Sequence, residues 1–261
     1  MKTIEIIGYG VVGQGMAKLF RDRFEVVIHD PDKGFNRTDH DVRPDLSIIC
    51  VPTPMAEDGS CETAYVESAI KECKSKLILI KSTVPPETTN RLTKKFKKDI
   101  CFSPEYMGES KYYTPFWKYP DPENAASHTF VIIGGDKASE IANYFMKVMS
   151  VDTVYHLCSA TEAELIKYAE NTFFATKVTF CNEFYDICKA FNVDWKGVRE
   201  GWLLDPRINK NHTLVFDDDR GWGGRCFPKD TNAIIKAAEL KGYEPTLLKA
   251  VLKTNDKIRN A

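Results

Sequence analysis

The sequence predicts an α/β protein, a doubly wound parallel sheet of the Rossmann type followed by an all-helical domain built on one long central helix. Three observations carry that reading. Short apolar runs alternate with helix-period stretches over the first 158 residues, a glycine-rich turn GYGVVG (8–13) stands at the first strand-to-helix junction, and from Thr161 the alternation gives way to a single long apolar helix. The 261 residues, 43% of them hydrophobic, are enough for a large core but long for one, so two domains are expected, 1–158 and 159–261.

The elements follow in order. IEIIG, FEVVIHD, LSIICVP, LILIKST, ICFSP and TFVIIGG read as strands that are apolar on both faces, the signature of a parallel sheet covered by crossover helices such as VVGQGMAKLFRD. Strand-like runs continue to VDTVYHL near residue 157. The helix from Thr161 to about Phe191 carries Leu165, Ile166, Phe173, Phe174, Val178, Phe180, Phe184 and Ile187 on most of its faces, which suits a buried spine and more cover than its own domain supplies. Segments 104–128 and 203–225 hold most of the Pro, Asp and aromatic residues outside regular patterns, and loops of that length commonly carry function.

Bulk properties exclude several classes of function. A formal net charge of -1 with no arm of like charges offers no electrostatic grip on nucleic acid or an anionic membrane. The chain enters a strand pattern at once, and no run approaches the roughly 20 apolar residues of a spanning helix, so a cytoplasmic protein is expected. The eight cysteines form no CxxC pair and read as reduced thiols; the five histidines lack metal-ligand spacing, so no metal site is expected.

Gly8, Gly10 and Gly13, between an apolar strand and a helix, permit a tight turn and a close approach of backbone amides to a pyrophosphate, with Val11 and Val12 opening the helix. Asp30 ends the next strand, where a carboxylate accepts hydrogen bonds from ribose hydroxyls and repels a ribose phosphate; NAD is therefore favoured over NADP. Glycines placed for packing alone, or for a flavin, are the other readings of the turn, and the strand, helix and terminal acid around it favour the nicotinamide dinucleotide.

The stretch GWGGRCFPKD (221–230) is the most informative in the chain. Its glycines let backbone approach a ligand, Pro228 fits the first turn of a following helix, and Cys226 then stands at that helix's N-terminus, where the dipole and free amides favour thiolate over thiol. A cysteine that merely packs at a helix cap fits the local pattern equally well. Lys167 and Asn171, four apart, share one face of the long helix; a solvated face on which Lys167 pairs with Glu164 or Glu170 is the competing reading. Asp230 is either a site acid or simple dipole compensation, and Glu105 and Glu109 of SPEYMGES are site acids or ordinary loop acids.

Taken together, GYGVVG, VPTP (51–54), KSTVPPETT (81–89), SPEYMGES (103–110), EAELIKYAENTFFATKVTFCNE (162–183), DPRI (205–208) and GWGGRCFPKD resemble the UDP-glucose/GDP-mannose dehydrogenase family in order and spacing along essentially the whole chain. The resemblance implies an NAD-binding domain, a helical dimerisation domain, and two successive hydride transfers that turn the primary alcohol of a nucleotide sugar, UDP-glucose first among them, into a carboxylate. By the same resemblance Cys226 is the nucleophile that forms a thiohemiacetal and then a thioester, Lys167 and Asp230 handle protons and steady the developing oxyanion, and Asn171 bonds the same oxygen or a water. Thr83, Glu105 and Glu109 match positions that place the nicotinamide, activate water and hold the sugar. Thr53 and Lys229 match cofactor contacts, Arg207 a residue lent across a homodimer to the substrate, and Gly223 with 215–219 the loop along the sugar nucleotide.

The sequence departs from the family pattern in carrying Gly108 where a larger residue is common, and in ending at Ala261 where members continue into a third, nucleotide-binding domain. A non-catalytic module that holds NAD or a nucleotide sugar is the alternative from another class. A single-step dehydrogenase of the β-hydroxyacid type shares the fold and the helix Lys/Asn pair, but it needs no nucleophilic cysteine.

Overall fold

A computed structural model describes residues 1–36, 43–107 and 124–260. They separate into two compact units, one holding the described residues up to Lys167 and the other those from Tyr168 onward.

The first unit is built on a seven-stranded sheet: β1 (Thr3–Ile7), β2 (Glu25–His29), β3 (Leu46–Ile49), β4 (Leu77–Ile80), β5 (Asp99–Phe102), β6 (Phe130–Gly134) and β7 (Val154–Cys158), in spatial order β2-β1-β3-β4-β5-β6-β7. The period-2 geometry of a strand divides its side chains between two layers. Ile4 and Ile6 of β1, Leu46 and Ile48 of β3, and Leu77 and Leu79 of β4 enter a core shared with helices α1 (Val11–Phe20) and α4 (Ala138–Phe145). Ile7, Ile49, Ile78 and Ile80, from the opposite faces of the same strands, pack with α2 (Ala64–Glu72) and α3 (Thr88–Phe96). The doubly wound architecture expected from the sequence is therefore present. In one respect it differs, since β6 meets β5 antiparallel through the pair Phe102 and Gly134, and β7 runs parallel to β6. Parallel neighbours need a crossover connection, whereas an antiparallel pair does not.

Helix α5 (Ala160–Ala190) is 31 residues long and opens on a capping box, in which Ser159 N donates to Glu162 Oε2 (2.8 Å) and Glu162 N donates to Ser159 Oγ (3.2 Å). Its first turn belongs to the sheet unit, because Ala163 fills the space above Gly134, where a Cβ would come within 2.6 Å of it. The division between units thus falls inside α5, several residues beyond its start.

The second unit consists of the rest of α5 with α6 (Trp195–Trp202), α7 (Phe227–Leu240) and α8 (Thr246–Arg259). Ala175 and Val178 of α5 pack with Trp222, Phe227 and Val251, while Cys181 and Cys188 pack with Trp195 and Trp202. Among the described residues no helix is long and apolar enough to cross a membrane.

Candidate active site

In the sheet unit the expected cofactor residues gather at the carboxyl ends of β1, β2 and β3, where the strand order reverses, the usual place for a ligand in an open α/β sheet. The three glycines of the turn do different work. Gly8 has φ +87°, and a Cβ there would meet the Cys50 carbonyl oxygen at 2.7 Å. A Cβ on Gly13 would lie 2.0 Å from the Gly8 carbonyl oxygen, so this glycine lets α1 pack on β1. Gly10, the residue that caps α1, has nothing within 4 Å of where its Cβ would be, which leaves the helix N-terminus open to a ligand. Val11 is exposed beside it, and Val12 packs against the core.

Asp30 contributes one oxygen to the turn itself, its Oδ2 accepting from Tyr9 N at 2.7 Å. Lys33 Nζ donates to the Tyr9 carbonyl, also at 2.7 Å, and the Tyr9 ring lies edge-on to Phe35 with centroids 5.2 Å apart. The acid is thus fixed to the glycine turn through a single oxygen.

Thr53 follows β3 and Thr83 follows β4, and the Cys61 sulfur lies 3.9 and 3.5 Å from their carbonyl oxygens, to either of which its one S–H can donate. Glu105 follows β5. It is buried, its Oε1 accepts from Tyr106 N and Met107 N, and its Oε2 lies 3.5 Å from Lys81 Nζ. Lys81 also donates to the Pro104 carbonyl at 2.8 Å, so the acid is held by a cation that carries no signal in the sequence. Lys167 is 9% exposed and its ammonium stands 5.1 Å from the Tyr106 ring centroid, which sets aside the solvated-face reading. Glu109 and Gly108 lie outside the described residues.

Glu164, one turn before Lys167, is fully buried and accepts from Glu87 N (2.6 Å), Thr89 N (2.8 Å) and Thr89 Oγ1 (2.7 Å) at the start of α3. Burial pushes its carboxyl up to about 7, against the downward pull of the Thr89 and Glu87 donors. In the sequence Glu164 stands out only as a partner for Lys167. A glutamate near a helix start usually faces water, and its anchorage, 75 residues away in sequence, leaves no local signal.

In the helical unit, Cys226 caps α7 and is the one exposed cysteine of the eight. Burial raises the thiols of Cys101, to about 12, and Cys181, to about 11, and so keeps them protonated. One turn into α7, Asp230 is 1% exposed; its Oδ2 accepts from Asn171 Nδ2 and its Oδ1 from Lys229 Nζ, each at 2.5 Å. Asn171, Asp230 and Lys229 are therefore brought together beside the helix that Cys226 begins. Lys229, expected as a cofactor contact, is engaged with Asp230. A Cβ on Gly223 would lie 3.1 Å from the guanidinium carbon of Arg259. Arg207 is highly exposed and forks onto Asp205, with Nε at 2.9 Å from Oδ1 and Nη2 at 2.6 Å from Oδ2.

With this arrangement established, comparison with known proteins gives concordant results. The NAD binding domain model of the UDP-glucose/GDP-mannose dehydrogenase family matches residues 34–143, and the central domain model of the same family matches residues 161–257. The UDP-glucose 6-dehydrogenase AglM of Haloferax volcanii is 35% identical over 243 residues, covering 84% of this chain and 54% of its own length. The UDP-glucose 6-dehydrogenase of Rickettsia prowazekii is 32% identical, over 81% of this chain and 49% of its own. The chain spans about half the length of these curated relatives. Among solved structures, a UDP-glucose dehydrogenase from Pyrobaculum islandicum superimposes with a TM-score of 0.79 at 27% identity, covering 98% of this chain and 68% of that one. A UDP-D-ManNAc dehydrogenase from Pyrococcus horikoshii has the same TM-score at 22% identity and shares the fold.

Proposed function

This chain belongs to the UDP-glucose/GDP-mannose dehydrogenase family, and we propose that it carries the catalytic machinery of an NAD-dependent nucleotide-sugar dehydrogenase that oxidises a primary alcohol to a carboxylate in two steps. The observation that carries the reading is the conjunction in the helical unit: one exposed cysteine at a helix N-terminus, one turn from a buried Asp230 that holds Asn171 and Lys229. UDP-glucose is the proposed substrate because the curated relatives carry that name.

NAD, when bound, accepts a hydride in each oxidation. Gly10 leaves the α1 N-terminus open, where the pyrophosphate would be held, and Asp30, one oxygen of which accepts from Tyr9 N, would accept from a ribose hydroxyl. In the first oxidation the alcohol loses a proton, the step for which the resemblance implies Lys167 and Asp230, and becomes an aldehyde. The Cys226 thiolate then adds to the aldehyde carbon, forming a C–S bond, and the oxygen takes up a proton to give a thiohemiacetal. Loss of that proton with a second hydride leaves a thioester. Water attacks its carbonyl, the C–S bond breaks, and carboxylate and thiol are released. Asn171 and Lys167 serve as donors toward the oxygen on which negative charge develops. Thr83, Glu105 and Glu109 complete the placement of nicotinamide, water and sugar in this proposal.

A homodimer is part of the same reading. Phe173, Phe180, Phe184 and Ile187 of α5, with Phe191 just after its end, recur at spacings of 7, 4, 3 and 4, and all are exposed in the single chain, Phe173 at 62%. A stripe of that size and spacing is the seam of a helix pair. The exposed Arg207 is then available to the neighbouring subunit's substrate.

The test is turnover of a panel of UDP-, GDP- and TDP-sugars with NAD, counting NADH per sugar. Two NADH and a carboxylate are expected from the wild type, and Cys226→Ala should stop after one. No turnover on any sugar would favour a binding role, and two NADH per sugar from Cys226→Ala at wild-type rate would remove the cysteine mechanism.

A further inference from the structure

The nucleophile in this reading sits on a segment, 221–226, that has two glycines at positive φ, Gly221 (+70°) and Gly224 (+76°), and therefore little stiffness of its own. What fixes it is a set of side chains from α5 and α8. The Asn255 amide on α8 spans the backbone of Trp222, with Trp222 N donating to Asn255 Oδ1 (2.8 Å) and Asn255 Nδ2 donating to the Trp222 carbonyl (2.9 Å). The Trp222 indole Nε1 donates to Thr179 Oγ1 on α5 (2.7 Å), and Gly221 N donates to Asn182 Oδ1 (3.0 Å). Trp222, Asn255, Thr179 and Asn182 are all at least 95% buried. The contact is also tight, since a Cβ on Gly221 would lie 2.6 Å from Asn255 Oδ1.

We propose that Asn255 is a positioning residue for Cys226: its amide reads both polar groups of one peptide residue, as a neighbouring strand would, and so sets where the glycine segment delivers the thiol to the start of α7. Asn255 has the donor and acceptor that this requires in one planar group; a hydrocarbon has neither, and a carboxylate lacks the donor. Thr179 secures the same residue from the opposite helix through the indole. The nucleophile thus takes its position from α5 and α8 together, and α8 is a direct route by which anything that shifts it changes the chemistry at sulfur.

This inference rests on Cys226 being the nucleophile, and the experiment separates the two. Asn255→Leu and, independently, the near-isosteric Thr179→Val are assayed in the full chain for NADH per sugar and for free aldehyde, with unfolding midpoints measured alongside. A misplaced thiol leaves the first hydride transfer in place and slows aldehyde capture, so Asn255→Leu should fall from two NADH per sugar toward one and release aldehyde, at an unchanged KM for NAD. Thr179→Val should shift the same ratio by a smaller amount. A variant that is merely less stable would lose both oxidations in parallel, and that result would overturn the proposal. So would a wild-type ratio in both variants while Cys226→Ala halts at one NADH. If Cys226→Ala itself still gives two, the nucleophile reading fails first and this inference fails with it.

Discussion

The division of labour within the glycine turn makes a sharp prediction, because two glycines three residues apart should fail in different assays when replaced by alanine. At Gly13 the added Cβ would lie 2.0 Å from the Gly8 carbonyl oxygen, against an ordinary carbon-to-oxygen contact of about 3.3 Å. Helix α1 must then retreat from β1 by roughly 1.3 Å, a strain of the kind that costs about 1–3 kcal/mol in a packed core. At roughly 2–4 °C per kcal/mol for a unit of this size, Gly13→Ala should lower the melting temperature by about 2–12 °C. At Gly10 nothing lies within 4 Å of the new methyl, and φ -73°, ψ -164° is open to alanine. A poorer N-cap and a stiffer unfolded chain roughly cancel there, so stability should stay within about 1 kcal/mol. The same methyl stands where a pyrophosphate must approach the first amides of α1. Loss of one hydrogen bond to a charged group, about 1.5–3 kcal/mol, would weaken NADH binding about 10- to 150-fold. Thermal melts and fluorescence titration with NADH read the two effects separately. Wild-type NADH affinity in Gly10→Ala, or equal destabilisation by both substitutions, would refute the assignment of roles.

Three further outcomes follow from the structure. Because burial holds the Glu164 carboxyl near 7 in the folded chain, against 4.5 in the unfolded one, the folded state keeps a proton that the unfolded state gives up between those values. Stability contributed by this group is thus complete below pH 4.5 and is lost as pH rises to about 7, by at most about 3 kcal/mol; urea midpoints of the wild type minus Glu164→Gln should fall across that window, and a flat difference would defeat the argument. Asp30→Ser should weaken NAD and narrow its advantage over NADP, measured as a ratio of specificity constants, since a ribose hydroxyl loses its acceptor and a ribose phosphate its repulsion. Phe184→Glu, in the middle of the exposed α5 stripe, should give a monomer by light scattering, and a dimer of undiminished affinity would place the interface elsewhere.

How much of this was legible in the sequence depended on how local each cause was. Strands buried on both faces announce themselves as unbroken apolar runs, and LSII and LILI became β3 and β4 with alternate residues sent to opposite layers. The 31-residue helix was legible because no Pro or Gly interrupts it from Ala160 to Ala190. Strand direction was not legible. An apolar run has no polarity, and the reversal at β6 is expressed in a single pair, Phe102 with Gly134. Lys81 and Glu164 escaped for a related reason: a lysine at a strand end and a glutamate at a helix start usually face water, and only their partners at Glu105, Glu87 and Thr89 make them interior groups.

The two most informative motifs were readable because each is a glycine turn feeding a helix, and the structure shows why they end in different chemistry. Both α1 and α7 begin with backbone N–H groups that lack intrahelical partners, a favourable place for negative charge. At α1 the capping residue is Gly10, whose missing side chain leaves that place to a ligand from outside. At α7 the capping residue is Cys226, whose exposed side chain itself stands at that place. The same kind of helix start therefore serves two roles in the proposed enzyme, holding the cofactor's phosphates and presenting the nucleophile. What differs is the support behind each turn. Gly13 lets α1 press directly on β1, whereas the cysteine turn relies on the amide of Asn255 and the hydroxyl of Thr179, two polar groups whose function no local pattern discloses.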